Sequence, residues 1–185
     1  MIILASSSPR RRQLLKTICD DFKIIPSDVN EDVSPTLSPL EAVLEIAKRK
    51  GDKIHEQYPH DIVISADTIV ILDNQIIGKP KDEEDAKHLL RLLSGKVHTV
   101  ITAYCLYKDD IFIENHVTSE VLFYELSDQL INDYVATGSP LDKAGAYGVQ
   151  DNDKFPIVKE VKGSMNNVIG FPIEKIEEDL KYFIK

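Results

Sequence analysis

The chain has 185 residues, 43% of them hydrophobic, and a formal net charge of -9 at pH 7. That length supports a substantial core in one domain, with room for two lobes, and the acidic balance argues against a nucleic-acid coat or a binder of anionic membranes. Cys19 and Cys105 stand far apart with no paired-cysteine motif, which suits a reducing cytosol.

The chain opens on Met1 to Ala5, an apolar run too short for a signal peptide, and no later run spans a bilayer, so a soluble, cytoplasmic protein is expected. Ile2, Ile3 and Leu4 predict a short buried strand. Ser8-Pro9 predicts an N-cap and the first residue of a helix with Leu14, Leu15 and Ile18 on one face. That register puts Arg10, Arg11 and Arg12 in the first turn, where the helix dipole disfavours each cation by roughly a few tenths of a kcal/mol. Serine hydroxyls, free backbone N–H groups and guanidinium groups together suit phosphate oxygens. The plainer alternative is a solvated basic turn.

Phe22 to Ile25 is a strand candidate, followed by an acidic loop from Pro26 to Thr36 that carries Asp28, Glu31 and Asp32. A solvated loop and a metal-facing Glu31 are both open readings. Ser38-Pro39-Leu40-Glu41 forms a capping box, opening a helix with an apolar stripe of Leu40, Val43, Leu44, Ala47 and Ile54. Lys50 lies on or beside that stripe, where a lysine ordinarily snorkels to water.

Asp61 to Leu72 is a β-rich apolar run with Asp67 in its middle. A charge buried there costs several kcal/mol, on the order of a small domain's whole stability, unless a cation or hydrogen bonds meet it. Asp67 therefore marks either a bulge or strand end, or a site carboxylate held rigidly by strand on both sides. The second reading is preferred, because Thr68 places a hydroxyl beside it. Asp73-Asn74 predicts a hairpin turn and Ile76-Ile77 the returning strand.

In Gly78-Lys79-Pro80-Lys81, Lys79 is a candidate phosphate ligand or a counter-charge to the acidic helix start at Asp82 to Asp85. That helix carries Ala86, Leu89, Leu90 and Leu93 and ends at Ser94-Gly95. Val97 to Tyr107 and Ile111 to Tyr124 predict two long strands across a Lys108-Asp109-Asp110 turn. Ser127 caps a helix with Leu130, Ile131, Tyr134 and Val135 inward, ending at Gly138. Pro140 to Gln150 gathers glycines around Asp142 and Lys143; it is a structural loop, or one in which the Gln150 amide reads a base edge. Phe155 to Val161 is a strand, Lys162-Gly163 a turn, and a helix from Pro172 closes the chain with Ile173, Ile176, Leu180, Phe183 and Ile184. No P-loop, dinucleotide fingerprint, nucleophile elbow or internal repeat occurs, and the five histidines are scattered, against a zinc hydrolase.

Taken in order, Leu4-Ala5-Ser6-Ser7-Ser8-Pro9-Arg10-Arg11, Ala66-Asp67-Thr68, Gly78-Lys79-Pro80, Leu93-Ser94-Gly95 with His98 and Thr102, and Asp142 to Gln150 resemble the Maf family of nucleoside triphosphate pyrophosphatases over nearly the whole chain. The resemblance implies a single Maf-like domain over residues 1–185, with a mixed, elongated α/β fold of the Maf/inosine-triphosphatase type and two lobes around a central cleft. It implies hydrolysis of a nucleoside triphosphate to the monophosphate and pyrophosphate with a divalent cation, Mg²⁺ or Mn²⁺, and a homodimer. No nucleic acid or membrane partner is implied. Asp67 would be the proton acceptor, and Arg11, Thr68 and Gln150 the substrate-discriminating positions. Ser6, Arg10, Lys50 and Lys79 match phosphate-contacting positions, and Glu31 an acidic residue facing the metal. Ala-Asp-Thr and Tyr-Gly-Val-Gln are similar to the dTTP/UTP branch, whereas the 7-methyl-GTP branch resembles Ser-Asp-Gln and Ser-Glu-Gly there. Ser65 replaces a usual glycine, and Ser164-Met165-Asn166-Asn167 replaces a more aromatic stretch. The alternative function is a nucleotide-sensing regulator of cell division that acts by partner binding without turnover.

Overall fold

The computed structural model describes residues 1–184. Strand β1 (Ile2–Leu4) leads into helix α1 (Pro9–Leu15), then β2 (Phe22–Ile24) and the long α2 (Pro39–His55). β3 (Ile62–Leu72) turns back as β4 (Gln75–Ile77), with α3 (Glu83–Leu93) after it. The hairpin β5 (Val97–Lys108) and β6 (Ile111–Phe123) is followed by α4 (Asp128–Ala136). Three short 3-10 turns, Ser139–Asp142, Ala144–Ala146 and Val149–Asp151, precede β7 (Val158–Lys162), α5 (Met165–Ile169) and α6 (Ile173–Leu180).

The local signals account for these ends. Ser38 accepts the Glu41 amide while Glu41 accepts the Ser38 amide, so the predicted capping box is formed. Asp73 and Asn74 both have positive φ, 49° and 62°, the mirror-image turn whose twist matches a two-residue hairpin.

All seven strands join one sheet in the order β2-β1-β3-β5-β6-β7, with β4 also on β3. β1 is parallel to β2 and β3, and every other pairing is antiparallel, so the sheet is mixed as expected. β3 changes partner along one edge. Ile62 to Ile64 pair with β1 and Val70 to Leu72 with β4, while β5 runs along the other edge throughout. Residues 65–69 therefore present a backbone edge without a strand neighbour, and Asp67 lies in that gap.

Three apolar clusters surround the gap. Val43, Ala47 and Ile54 of α2 pack against Ile3, Val63 and Ile69 on one sheet face. Leu15 of α1 and Ile173, Ile176 and Leu180 of α6 pack against Leu4, Ile64 and Tyr104 on the other. Beyond the gap, α3 and α4 close over Val70, Val100, Phe123 and Tyr147.

Four details depart from the sequence reading. α1 ends at Leu15, and Ile18 packs from the turn beyond it. β7 starts at Val158 rather than Phe155, because the Asn152 amide occupies the backbone there: its Oδ1 accepts the Ile157 and Val158 N–H groups and its Nδ2 donates to the Val158 carbonyl. The unpredicted α5 is capped by Ser164 and stopped by Gly170 at φ 114°. Ile184 is exposed, and Phe183 alone of that final pair is buried.

Candidate active site

A cleft of about 560 Å³ opens at the gap in β3. Alternation along the strand decides what reaches it. Asp67 shares the face of Val63, Ser65 and Ile69 that packs on α2, and Thr68 the opposite face.

On the α2 face, Ile46 and Lys50 line the cleft one turn apart. The Lys50 side chain is only 12% exposed, and its Nζ lies 2.8 Å from Asp67 Oδ1 and 2.7 Å from Glu31 Oε1. Lys50 therefore does not snorkel outward; two carboxylates hold it inward. Close seating of α2 on the sheet permits this. A Cβ at Gly51 would come within 2.2 Å of Tyr107 Cε2 and 2.7 Å of Ser65 Oγ, and Ser65 donates to the Ala47 carbonyl at 2.7 Å. Ser65 thus ties β3 to the helix that carries Lys50. Partial burial pushes the Glu31 carboxyl up, but the hydrogen bond from Lys50 and the charges of Lys50, Lys79 and Arg11 more than offset it, so Glu31 sits below the usual carboxylate range.

On the other face Arg11 behaves differently from the sequence expectation. Its Nε donates to Gly170 O at 2.9 Å, Nη1 to Ala66 O at 2.8 Å and Ser6 Oγ at 3.3 Å, and Nη2 to Thr68 Oγ1 at 3.2 Å. Four of its five N–H groups thus have protein acceptors, so no free fork is left for bidentate phosphate binding. The cause is backbone accounting. Ala66 O lies on the unpaired edge of β3 and Gly170 O at the end of α5, and buried carbonyls need donors. Burial lowers the Arg11 pKa, Asp67 and Glu31 raise it, Arg10 lowers it further, and the net direction is down.

Arg10 lines the cleft with Nη1 3.7 Å from Asp142 Oδ2, and Lys79 and Gln150 line it from exposed positions. The Lys79 loop is tied to the opposite rim by the Gly145 N–H, which donates to Gly78 O at 3.1 Å. The structure thus brings Asp67, Glu31, Arg10, Arg11, Lys50, Thr68, Lys79 and Gln150 to one cavity. Ser6 is the exception. Its buried hydroxyl faces Arg11 and accepts the Ser8 N–H at 3.2 Å, and Ser7 and Ser8 line the cleft instead.

Asn167 is a buried neighbour of the cleft that sequence reasoning did not single out as a site residue. It is buried under β5, accepts the Thr102 N–H at 3.0 Å, and donates to Val100 O and Ser119 Oγ at 3.1 and 3.0 Å. That anchor sets Gly170 against Arg11 and Thr68. A serine cap followed three residues later by asparagine and soon after by glycine was the available signal.

Among the described residues no group of three or more His, Cys, Asp or Glu could hold a metal ion. Glu31 and Asp67 offer two carboxylates sharing Lys50. Their oxygens are the donor type that suits Mg²⁺ or Mn²⁺, and one oxygen of each is held by Lys50 Nζ.

A family model described as Maf-like protein matches residues 1–183. The chain belongs to the Maf family. This Maf protein is 46% identical over 174 residues to a dTTP/UTP pyrophosphatase of Thermococcus onnurineus (strain NA1), covering 94% of this chain and 93% of that one. It is 42% identical over 183 residues to a dTTP/UTP pyrophosphatase of Geobacillus sp. (strain WCH70), covering 97% and 96%. The Staphylococcus aureus Ham1 protein shares its fold, with a TM-score of 0.53 and 14% identity over 96% of this chain and 98% of that one. The mixed α/β fold expected from the Maf/inosine-triphosphatase resemblance is therefore the one observed.

Proposed function

We propose that this Maf protein hydrolyses dTTP and UTP to the nucleoside monophosphate and pyrophosphate, with the triphosphate lying in the cleft at the β3 gap. The observation that carries this reading is the placement of Asp67, 9% exposed, in one cavity with Ser7, Ser8, Arg10 and Lys79. An acid embedded in a strand faces cations across a space that suits a polyanion. The names of the relatives that match over nine-tenths of both chains supply the substrate class.

In this mechanism a water attacks the α-phosphorus, Asp67 takes its proton, and the bond to the bridging oxygen breaks so that pyrophosphate leaves with the electron pair. Arg10, Lys50 and Lys79 supply positive charge to the phosphoryl oxygens as the transition state forms. Lys50 also fixes Asp67 in position beside the cleft through their 2.8 Å ion pair. Bound Mg²⁺ or Mn²⁺ would neutralise charge on the phosphates, and Glu31 is the residue that would help hold it. Thr68 and Gln150 select the base, and Arg11 acts on selection by fixing Thr68 and the Gly170 carbonyl. Ser6 contributes through Arg11, not through the substrate.

The same proposal takes residues 1–185 as one functional domain, working as a homodimer in a reducing cytoplasm. Cys19 and Cys105 are free thiols, and no helix among the described residues is long and apolar enough to cross a membrane. A nucleotide sensor without turnover is the rival reading, and the pyrophosphatase names of the relatives do not favour it. Pyrophosphate release from a nucleotide panel, with and without Mg²⁺ or Mn²⁺, separates the two. Metal-dependent release selective for dTTP and UTP is expected, whereas nucleotide bound and left intact would support the sensor.

A further inference from the structure

Gln150 sits on a rim with no regular secondary structure beyond short 3-10 turns, yet a partly buried polar network fixes that rim. Tyr134 of α4 is fully buried, and its hydroxyl donates to Asp151 Oδ2 at 2.7 Å and accepts the Gly148 N–H at 3.0 Å. Asp151 Oδ2 also accepts from Ser139 Oγ at 2.7 Å. Ser139 Oγ accepts from Lys143 Nζ at 3.1 Å, and Lys143 Nζ donates to Asp142 Oδ1 at 2.9 Å. The packing at Gly148 is equally tight: an added Cβ would lie 2.8 Å from Gln150 Oε1 and from Lys143 Cε. The Gly148 backbone is therefore the surface against which the Gln150 amide rests.

We propose that Tyr134 and Asp151 are positioning residues for base selection, which clamp the Gly148 to Asp151 turn so that the Gln150 amide presents one fixed donor and acceptor pair to the pyrimidine edge. This rests on the proposed function and adds to it residues that do not touch the substrate. Asp67, Lys50 and Lys79 belong to other elements, and the network reaches Arg10 only at its far end, through Asp142 at 3.7 Å, so the clamp at Tyr134 and Asp151 acts on affinity and base discrimination and leaves the chemical step alone. A side chain that is held in one geometry before the base arrives loses less entropy on binding, and discrimination by hydrogen bonds depends on that geometry.

The test compares Tyr134→Phe, Asp151→Ala and Asp151→Asn with the unaltered protein by steady-state pyrophosphate release from dTTP, UTP and dCTP, with melting temperature measured beside each. Tyr134→Phe and Asp151→Ala are expected to raise KM for dTTP and UTP about tenfold, to keep kcat within about twofold, and to shrink the preference over dCTP by a similar factor. Asp151→Asn keeps an acceptor oxygen for Tyr134 and Ser139 and is expected to restore KM and preference. A fall in kcat at constant KM, an unchanged preference in folded Tyr134→Phe, or equal losses in Asp151→Asn and Asp151→Ala would overturn the assignment. If Tyr134→Phe does not fold, the Asp151 pair decides alone. Absence of hydrolysis by the unaltered protein would instead overturn the proposed function, and this assignment with it.

Discussion

Replacing Asp67 with asparagine isolates proton transfer from folding. Asparagine keeps the shape and an oxygen to accept from Lys50 Nζ, now at 2.8 Å from Asp67 Oδ1, but it removes the basic site. Lys50 would still be neutralised by Glu31 at 2.7 Å, so its charge is not left unpaired and the full cost of about 3–5 kcal/mol for breaking a buried pair does not apply. About 1 kcal/mol remains, a fall of about 2–4 °C in melting temperature for a domain of this size. Loss of a positioned general base slows reaction by about 10²- to 10⁴-fold, or about 2.7–5.4 kcal/mol of barrier. Pyrophosphate release from dTTP at saturating substrate and metal, with thermal denaturation alongside, measures both. Turnover within about threefold of the unaltered protein, in a folded variant, would refute the role of Asp67.

Gln150→Glu replaces the amide donor with a second acceptor and is expected to lower kcat/KM for dTTP and UTP about tenfold or more, read across a nucleotide panel. Arg11→Lys cannot reproduce the planar fork that serves Ala66, Gly170, Thr68 and Ser6; it should cost about 2–3 kcal/mol, seen as a melting temperature about 4–12 °C lower. Burial pushes His98 down to about 4, with its Nε2 2.7 Å from the Tyr147 hydroxyl. The unfolded chain takes up that proton below about pH 6.5 while the folded chain does not, so stability falls as pH drops from about 6.5 towards 4. At about pH 5 the loss from this group is about 2 kcal/mol, and His98→Gln should remove that part of the slope in urea titrations at pH 7 and 5.

Local pattern made much of the fold legible. The uninterrupted Asp61 to Leu72 run, the Asp73-Asn74 turn and the Ser38 capping box each act within a few residues, and each forms the element it predicts. What stayed hidden depends on partners far along the chain. The inward turn of Lys50 needs Asp67, 17 residues away, and the closed fork of Arg11 needs Gly170, 159 residues away. Helix α5 is five residues long, too short for an apolar period, and it is held by Asn167 reaching β5 rather than by propensity. The late start of β7 has the same origin, since the Asn152 amide fills the hydrogen-bonding positions at Ile157 and Val158. The candidate site was readable as a set of residue types and only partly as contacts: Ser6 lies against Arg11 rather than on the cleft wall, and Arg11 lines the cleft with Ser7 and Ser8 while its N–H groups reach protein acceptors.

The most direct measurement of the central claim is hydrolysis of dTTP in water enriched in the heavy oxygen isotope, with both products analysed by mass. Attack at the α-phosphorus in the Asp67 cleft places the heavy oxygen in the monophosphate and leaves pyrophosphate unlabelled. Label in the pyrophosphate, or release of inorganic phosphate in its place, would contradict the account.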